Sequence, residues 1–287
     1  MRSMTLHIGP AQICADLRMQ RQKHKGAFAL VEGSNDIKRF KKFYKSDGVV
    51  FINCWGKGNV IDVIDYEQNA ANEDVLGFVD SDFERITADV EQNDDIIYSR
   101  YHDFDLDVCF TSVVARYLTE MGNETKLAAA GGANECLNSL LEALKPLSAM
   151  RYANAQHNMG YRLSDLNLAA FFDGHTINVE AMIDEASLGK FDTAQDKAAL
   201  RQRIGQYETA NVDLLQFTNG HDLIAAIGIA LRDRIGERHP LQSHRGEVER
   251  HLRLTFDVAD FKQTGHLAAI RNWEQIRALG LLLDHVN

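Results

Sequence analysis

Three carboxylates stand where they could do chemistry. Glu32 lies in Leu30-Val31-Glu32-Gly33-Ser34-Asn35-Asp36, and Asp80 and Asp82 lie in Phe78-Val79-Asp80-Ser81-Asp82. Each group leaves a short apolar run, and open parallel sheets bind ligands beyond the carboxyl ends of their strands. If the two runs are neighbouring strands, the three side chains converge on one point. Packed carboxylates repel one another, and a hard divalent cation is the usual remedy. Mg2+, or Mn2+ in its place, suits an all-oxygen environment and keeps several waters, leaving positions for phosphate oxygens and a nucleophilic water. Either signal alone is weak, because a D-x-D after a strand equally serves a cap or a turn.

Softer candidates surround this set. Lys38, Arg39, Lys41, Lys42 and Lys45 follow closely behind Glu32, and they read either as a phosphate-backbone surface or as a solvated helix face. Lys57, in Gly56-Lys57-Gly58, could also reach a phosphate, although the loop is no Walker A motif. In His102-Asp103-Phe104-Asp105-Leu106-Asp107, three carboxylates at alternate positions would share one side if the segment is extended, with Asp107 as a further metal ligand. The stretch Thr218-Asn219-Gly220-His221-Asp222-Leu223 starts a helix; His221 and Asp222 are candidates to approach the acidic site, with simple capping as the alternative.

The elements that must position these residues alternate. Apolar runs at 27–31, 49–53 and 75–79 read as strands, with a weaker one at 96–98. Ser34 and Asp36 supply cap chemistry for a helix over roughly 35–45, and the loop 55–59 leads into another. This pattern predicts a parallel sheet flanked by helices. Past residue 108 strand candidates become scarce, and helices are expected over 109–121, 134–149, 178–188, 195–208, 221–236, 245–253 and 267–284. The expected organisation is an α/β domain over 1–108 and a mostly α-helical region over 109–287.

Composition bounds the rest. The 287 residues are 45% hydrophobic and 25% charged, as in an ordinary globular protein, and only three are proline. Net charge is −10, yet residues 1–60 hold eleven Lys/Arg against four Asp/Glu, and residues 61–110 hold two against fifteen. A basic segment beside an acidic one suits cations that bridge carboxylates to a phosphate backbone. Cys14, Cys54, Cys109 and Cys136 have no metal-site spacing and read as buried free thiols. The charged N-terminal stretch is unlike a signal peptide, and no run reaches membrane-span length, so a cytoplasmic protein without membrane contact is expected.

The Val31-Glu32-Gly33…Asp36 stretch followed by Asp80-Ser81-Asp82, on the first and third strands of a short α/β unit, resembles the Toprim domain. Adding Gly56-Lys57-Gly58-Asn59-Val60 and Asn219-Gly220-His221-Asp222-Leu223, the chain is similar over most of 26–225 to Toprim-like nucleases encoded beside ABC-type ATPases. These are related to the OLD nucleases and include the effector of the PARIS anti-phage system. The resemblance implies metal ligation by Asp80 and Asp82, with Glu32 as general acid/base or ligand and Asp36 as the motif's trailing Asp. It further implies a toxic endonuclease restrained by an ATPase sensor, which on release forms a homodimer and cuts host RNA, tRNA foremost; residues 1–108 would be its catalytic domain, and 109–287 would dimerise or bind the partner and complete the site. Family members often carry a Glu-Asn-Tyr-like stretch where this chain reads Asp107-Val108-Cys109. An OLD-type DNA nuclease and a non-catalytic metal-binding subunit of an ATPase complex are the competing expectations. No G-x-x-x-x-G-K-[ST] motif is present, so an ATP-driven step requires another polypeptide.

Overall fold

The computed structural model describes residues 8–90, 92–164, 166–188, 190, 192–284 and 286. The chain divides into two compact units that interleave in sequence: Met1–Ser81 with Glu91–Arg100 and Phe261–Asn287, and Asp82–Val90 with Tyr101–Asp260. The C-terminal stretch that sequence reading grouped with the helical region after 108 therefore belongs to the sheet unit.

The sheet unit holds four parallel strands: β1 (Ala27–Val31), β2 (Val49–Asn53), β3 (Val75–Val79) and β4 (Ile96–Tyr98), in the order β2-β1-β3-β4. All four lie at the expected positions, and β1 and β3 are adjacent, with Val31 paired to Phe78. These two central strands are buried along their whole length, which is why they read as unbroken apolar runs rather than alternating ones. Alternate side chains serve opposite faces. Phe28, Leu30, Val75 and Val79 join one core with Ile13, Cys14 and Leu17 from helix Pro10–Gln20 and Val60, Val63 and Ile64 from helix Lys57–Asn69. Gly77 lets the latter helix close on β3, since a Cβ there would lie 2.9 Å from Val60 Cγ1.

Phe78 points the other way and stacks on Phe40, ring centroids 5.0 Å apart. Phe40 ends helix Ser34–Phe40, which passes into a 3-10 turn at Lys41–Phe43 instead of running on to residue 45. Phe43 stacks on Phe261 at 4.3 Å. The last helix, His266–Ile276, stops well short of the expected residue 284. Leu281 and Leu282 are instead buried as extended chain, Glu274 Oε1 accepts both their N–H groups, and Leu282 bridges Tyr44. Burial of two leucines outweighs a helix propensity worth only a few tenths of a kcal/mol per residue.

In the helical unit the expected helix over 134–149 is two helices, Ala133–Ala143 and Lys145–Gln156, with Pro146 in the first turn of the second, where its missing N–H costs nothing. Helix Gly220–Asp233 is the most enclosed, with Leu223, Ile224, Ala226, Ile227, Ala230 and Leu231 all buried. The four cysteines are free and buried. Among the described residues no helix is long and apolar enough to cross a membrane.

Candidate functional site

Adjacency of β1 and β3 puts Glu32 and Asp80, one residue past each strand, at the same edge of the sheet. The Asp80 N–H donates to Glu32 Oε1 at 2.7 Å, so the first carboxylate is aimed by the backbone that carries the second. Both side chains are half-buried. Lys57 Nζ donates to the Asp80 carbonyl at 2.7 Å, and Gly56 N–H to the Glu32 carbonyl at 2.9 Å. Ser81 is buried: its N–H donates to Ser99 Oγ at 2.8 Å, and its own Oγ to the Ser99 carbonyl at 2.6 Å. The turn after β3 is thus held from three sides. Lys57 was legible as a candidate cation, but its hydrogen bond to a backbone carbonyl was not.

Asp82 opens the helical unit. It is exposed, adopts φ 47°, and donates its N–H to the His102 carbonyl at 2.7 Å. Asp is among the few residues that accept this left-handed conformation at modest cost, because its short side chain bonds locally.

Asp36 closes its own helix: Oδ2 accepts the Gly33 N–H at 3.0 Å and Oδ1 accepts from Arg39 Nη1 at 3.0 Å. Ser34 makes no side-chain cap, and Gly33 occupies the capping position. Arg39 is only 3% exposed, so it stands inside the fold, away from any surface that meets a phosphate backbone. Lys38, Lys41 and Lys42 are exposed, and Lys45 is partly exposed and 3.2 Å from Asp284.

The segment 102–107 is not extended. Asp103 is the N-cap of helix Phe104–Cys109, its Oδ1 accepting from Leu106 N–H at 2.7 Å. Its Oδ2 accepts the Gly220 N–H at 2.6 Å. Gly220 has to be glycine, since a Cβ would meet Asp103 Oδ1 at 2.2 Å. Burial raises the Asp103 carboxyl, followed by the nearby Asp105 charge, while His102 and the two N–H donors act against them. Asp107 is 2% exposed and its Oδ1 accepts the Tyr101 N–H at 2.8 Å. The single acidic side expected of 103, 105 and 107 therefore does not form: Asp103 and Asp105 both lie against Gly220 and His221, whereas Asp107 staples the preceding turn.

His221, half-exposed, places Nδ1 3.2 Å from Glu249 Oε1 and 3.3 Å from Asp105 Oδ2. The Glu249 hydrogen bond, helped by the Asp105 and Asp103 charges, raises the imidazole to about 9 against the opposing effect of burial. Burial pushes the Glu249 carboxyl up, but the His221 bond and the charges of His221 and Arg245 outweigh it, so the group sits below its usual range. Asp222 forms a bidentate pair with Arg151, at 2.5 and 2.7 Å. Nothing in the sequence singled out Glu249 or Arg151, because both partners lie on helices distant in the chain.

Half-buried oxygen donors such as Glu32 and Asp80 fit a hard cation, not a thiol-seeking one. Among the described residues no three His, Cys, Asp or Glu side chains are already drawn together in metal-binding geometry. No protein-family model matches the chain, and no curated protein matches it. The Toprim resemblance therefore rests on residues 31–36, 56–60, 77–82 and 219–223 themselves.

Proposed function

We propose that the chain is a Mg2+- or Mn2+-dependent endonuclease that hydrolyses phosphodiester bonds, RNA foremost, at the carboxyl edge of its sheet. The observation that carries this reading is the meeting of Glu32 and Asp80 on neighbouring parallel strands, with Glu32 Oε1 fixed by the Asp80 N–H at 2.7 Å. Two acids of independent sequence origin share one edge, where ligands of parallel sheets bind.

Glu32 and Asp80 would hold the ion. Mg2+ commonly takes only one or two protein carboxylates and completes its shell with water and phosphate, so a preformed cage is not required. Once bound, it supplies charge neutralisation at the phosphate and a more acidic water. Glu32, oriented by the backbone, would accept a proton from the attacking water and return one to the departing oxygen. Lys57 and the Ser81–Ser99 pair keep the Asp80 turn in place. Exposed Lys38, Lys41 and Lys42 offer charge to the strand being cut. Asp36, Asp107 and Asp222 serve their own units through the partners described above. Restraint by an ABC-type ATPase, dimerisation on release and a tRNA target extend the same reading.

The test is expression of the wild type and of Glu32→Ala in bacteria, with and without an adjacent ATPase gene, followed by sequencing of RNA ends. Glu32-dependent cuts in one tRNA class are expected. Intact RNA beside broken chromosomal DNA would replace RNA by DNA as substrate. No cleavage of either, with the ATPase present and triggered, would leave a non-catalytic subunit.

A further inference from the structure

The turn between β2 and helix Lys57–Asn69 carries the chain's most conspicuous surface aromatic. Trp55 is 57% exposed, whereas Trp273, the second of two tryptophans, is 2% exposed and donates its indole N–H to Asp95. A large ring left in water forgoes the stabilisation that burial would give it. Trp55 also holds φ 55°, a left-handed conformation that is a true outlier for a bulky residue. Such strain persists only where surrounding bonds enforce it, and it gathers at sites of binding and catalysis.

Those bonds are present. The Trp55 N–H donates to Asn53 Oδ1 at 2.9 Å, Cys54 N–H to the Val31 carbonyl at 2.8 Å, and Asn59 Nδ2 to the Cys54 carbonyl at 2.6 Å. The next residue, Gly56, donates to the Glu32 carbonyl. The loop is thus fastened to β1 at the residues that present Glu32.

Trp55 also lines a surface cavity of about 500 Å3 whose walls combine Ile8, Ile13, Phe51 and Ile52 with glutamine and asparagine amides and one carboxylate, Asp16. Apolar walls, an aromatic face and a side-chain amide at the edge are the means by which proteins receive a base splayed out of a single strand. We propose that Trp55 stacks an unpaired nucleobase in this cavity while the adjoining backbone runs to Glu32 and Asp80. This assignment rests on the nucleolytic reading of that same acidic pair. A nucleic acid is favoured over a protein segment by continuity with the acidic edge through Gly56 and by the excess of eleven basic over four acidic residues in the first sixty.

The experiment uses the full chain carrying Glu32→Gln, titrated with short oligoadenylate and oligouridylate strands and followed by tryptophan fluorescence and by anisotropy of a labelled strand. Buried Trp273 serves as the internal reference. Saturable quenching is expected, absent in Trp55→Phe although that variant keeps most of its affinity. Trp55→Ala should bind roughly tenfold more weakly or worse, as loss of one base–aromatic stack implies. Trp55→Gly, which relieves the backbone, should show the same loss and so separates stacking from misfolding. Full affinity in Trp55→Ala, with cleavage by the otherwise wild-type protein unchanged, overturns the base pocket and leaves the nuclease standing. Binding and quenching without any cleavage by the wild type does the reverse. Absence of oligonucleotide binding overturns the base pocket and leaves the nuclease to be decided by wild-type cleavage, and loss of a protein partner in Trp55→Ala at unchanged oligonucleotide affinity reassigns the cavity to protein docking.

Discussion

The interior of the fold and the carboxyl edge of its sheet use carboxylates in opposite ways; in the sheet unit itself, buried Glu274 and Asp95 accept N–H groups of Leu281, Leu282 and Trp273. In the helical unit Asp103, Asp107 and Asp222 are buried, and each is committed to N–H groups or a guanidinium of that unit. At the sheet edge Glu32 and Asp80 are half-buried, and the Asp80 N–H fixes the direction of the Glu32 carboxylate. Acids enclosed in the fold hold structure; acids at an accessible edge can act. Acidity in the sequence is therefore a poor guide to function until burial is known.

Substitutions can break this contrast. The largest expected effect is on catalysis: Asp80→Asn or Glu32→Gln should lower cleavage by about a hundredfold to ten-thousandfold, the usual range for losing a proton-transfer group, with an unchanged urea midpoint. An equally large drop in stability would merge the two classes of carboxylate. Next, Asp222→Ala leaves the half-buried Arg151 without its bidentate acceptor; a fully buried pair costs about 3–5 kcal/mol to break, and a loss toward the lower end is expected here. Equilibrium unfolding should register that loss, while any surviving folded protein keeps its activity per molecule. Asp103→Ala removes a helix cap and the acceptor for Gly220, and about 2 kcal/mol of destabilisation is expected from the same measurement.

The smallest effect sharpens the comparison through pH. His221 is raised from 6.5 to about 9 in the fold, so its protonated form contributes stability that is complete below 6.5. That contribution is lost as pH rises through about 9. Wild-type unfolding free energy should fall across this window, and His221→Gln should flatten the slope. Half exposure screens the effect, and added salt should shrink it. A slope that survives the substitution would assign the dependence to another group.

Much of the sheet unit was legible because its signals are local. Runs such as Ala27–Val31 and Val75–Val79 are apolar throughout and bounded by Gly, Asp or Asn, so burial on both faces shows directly in the residues. Helix ends were less so. Leu279, Leu281 and Leu282 read as helix continuing, and only the buried Glu274 carboxylate, accepting two N–H groups, ends it. The segment after β4 was misjudged for a related reason. Alternating Asp residues carry no mark of whether the backbone is extended, and the Gly220 N–H that captures Asp103 is more than a hundred residues away.

The sequence by itself determined four strands, the edge to which Glu32 and Asp80 belong, and the buried thiols, because each follows from a run of neighbours and its solvation. Tertiary structure alone decided which of the acids and cations were taken. It buried Arg39 against Asp36, gave Asp222 to Arg151 and Asp107 to the Tyr101 N–H, held Trp55 out in a left-handed turn, and returned the C-terminal stretch to the sheet. A charged side chain's role depends on the partner that meets it, and that partner is set by contacts across the chain that no local pattern encodes.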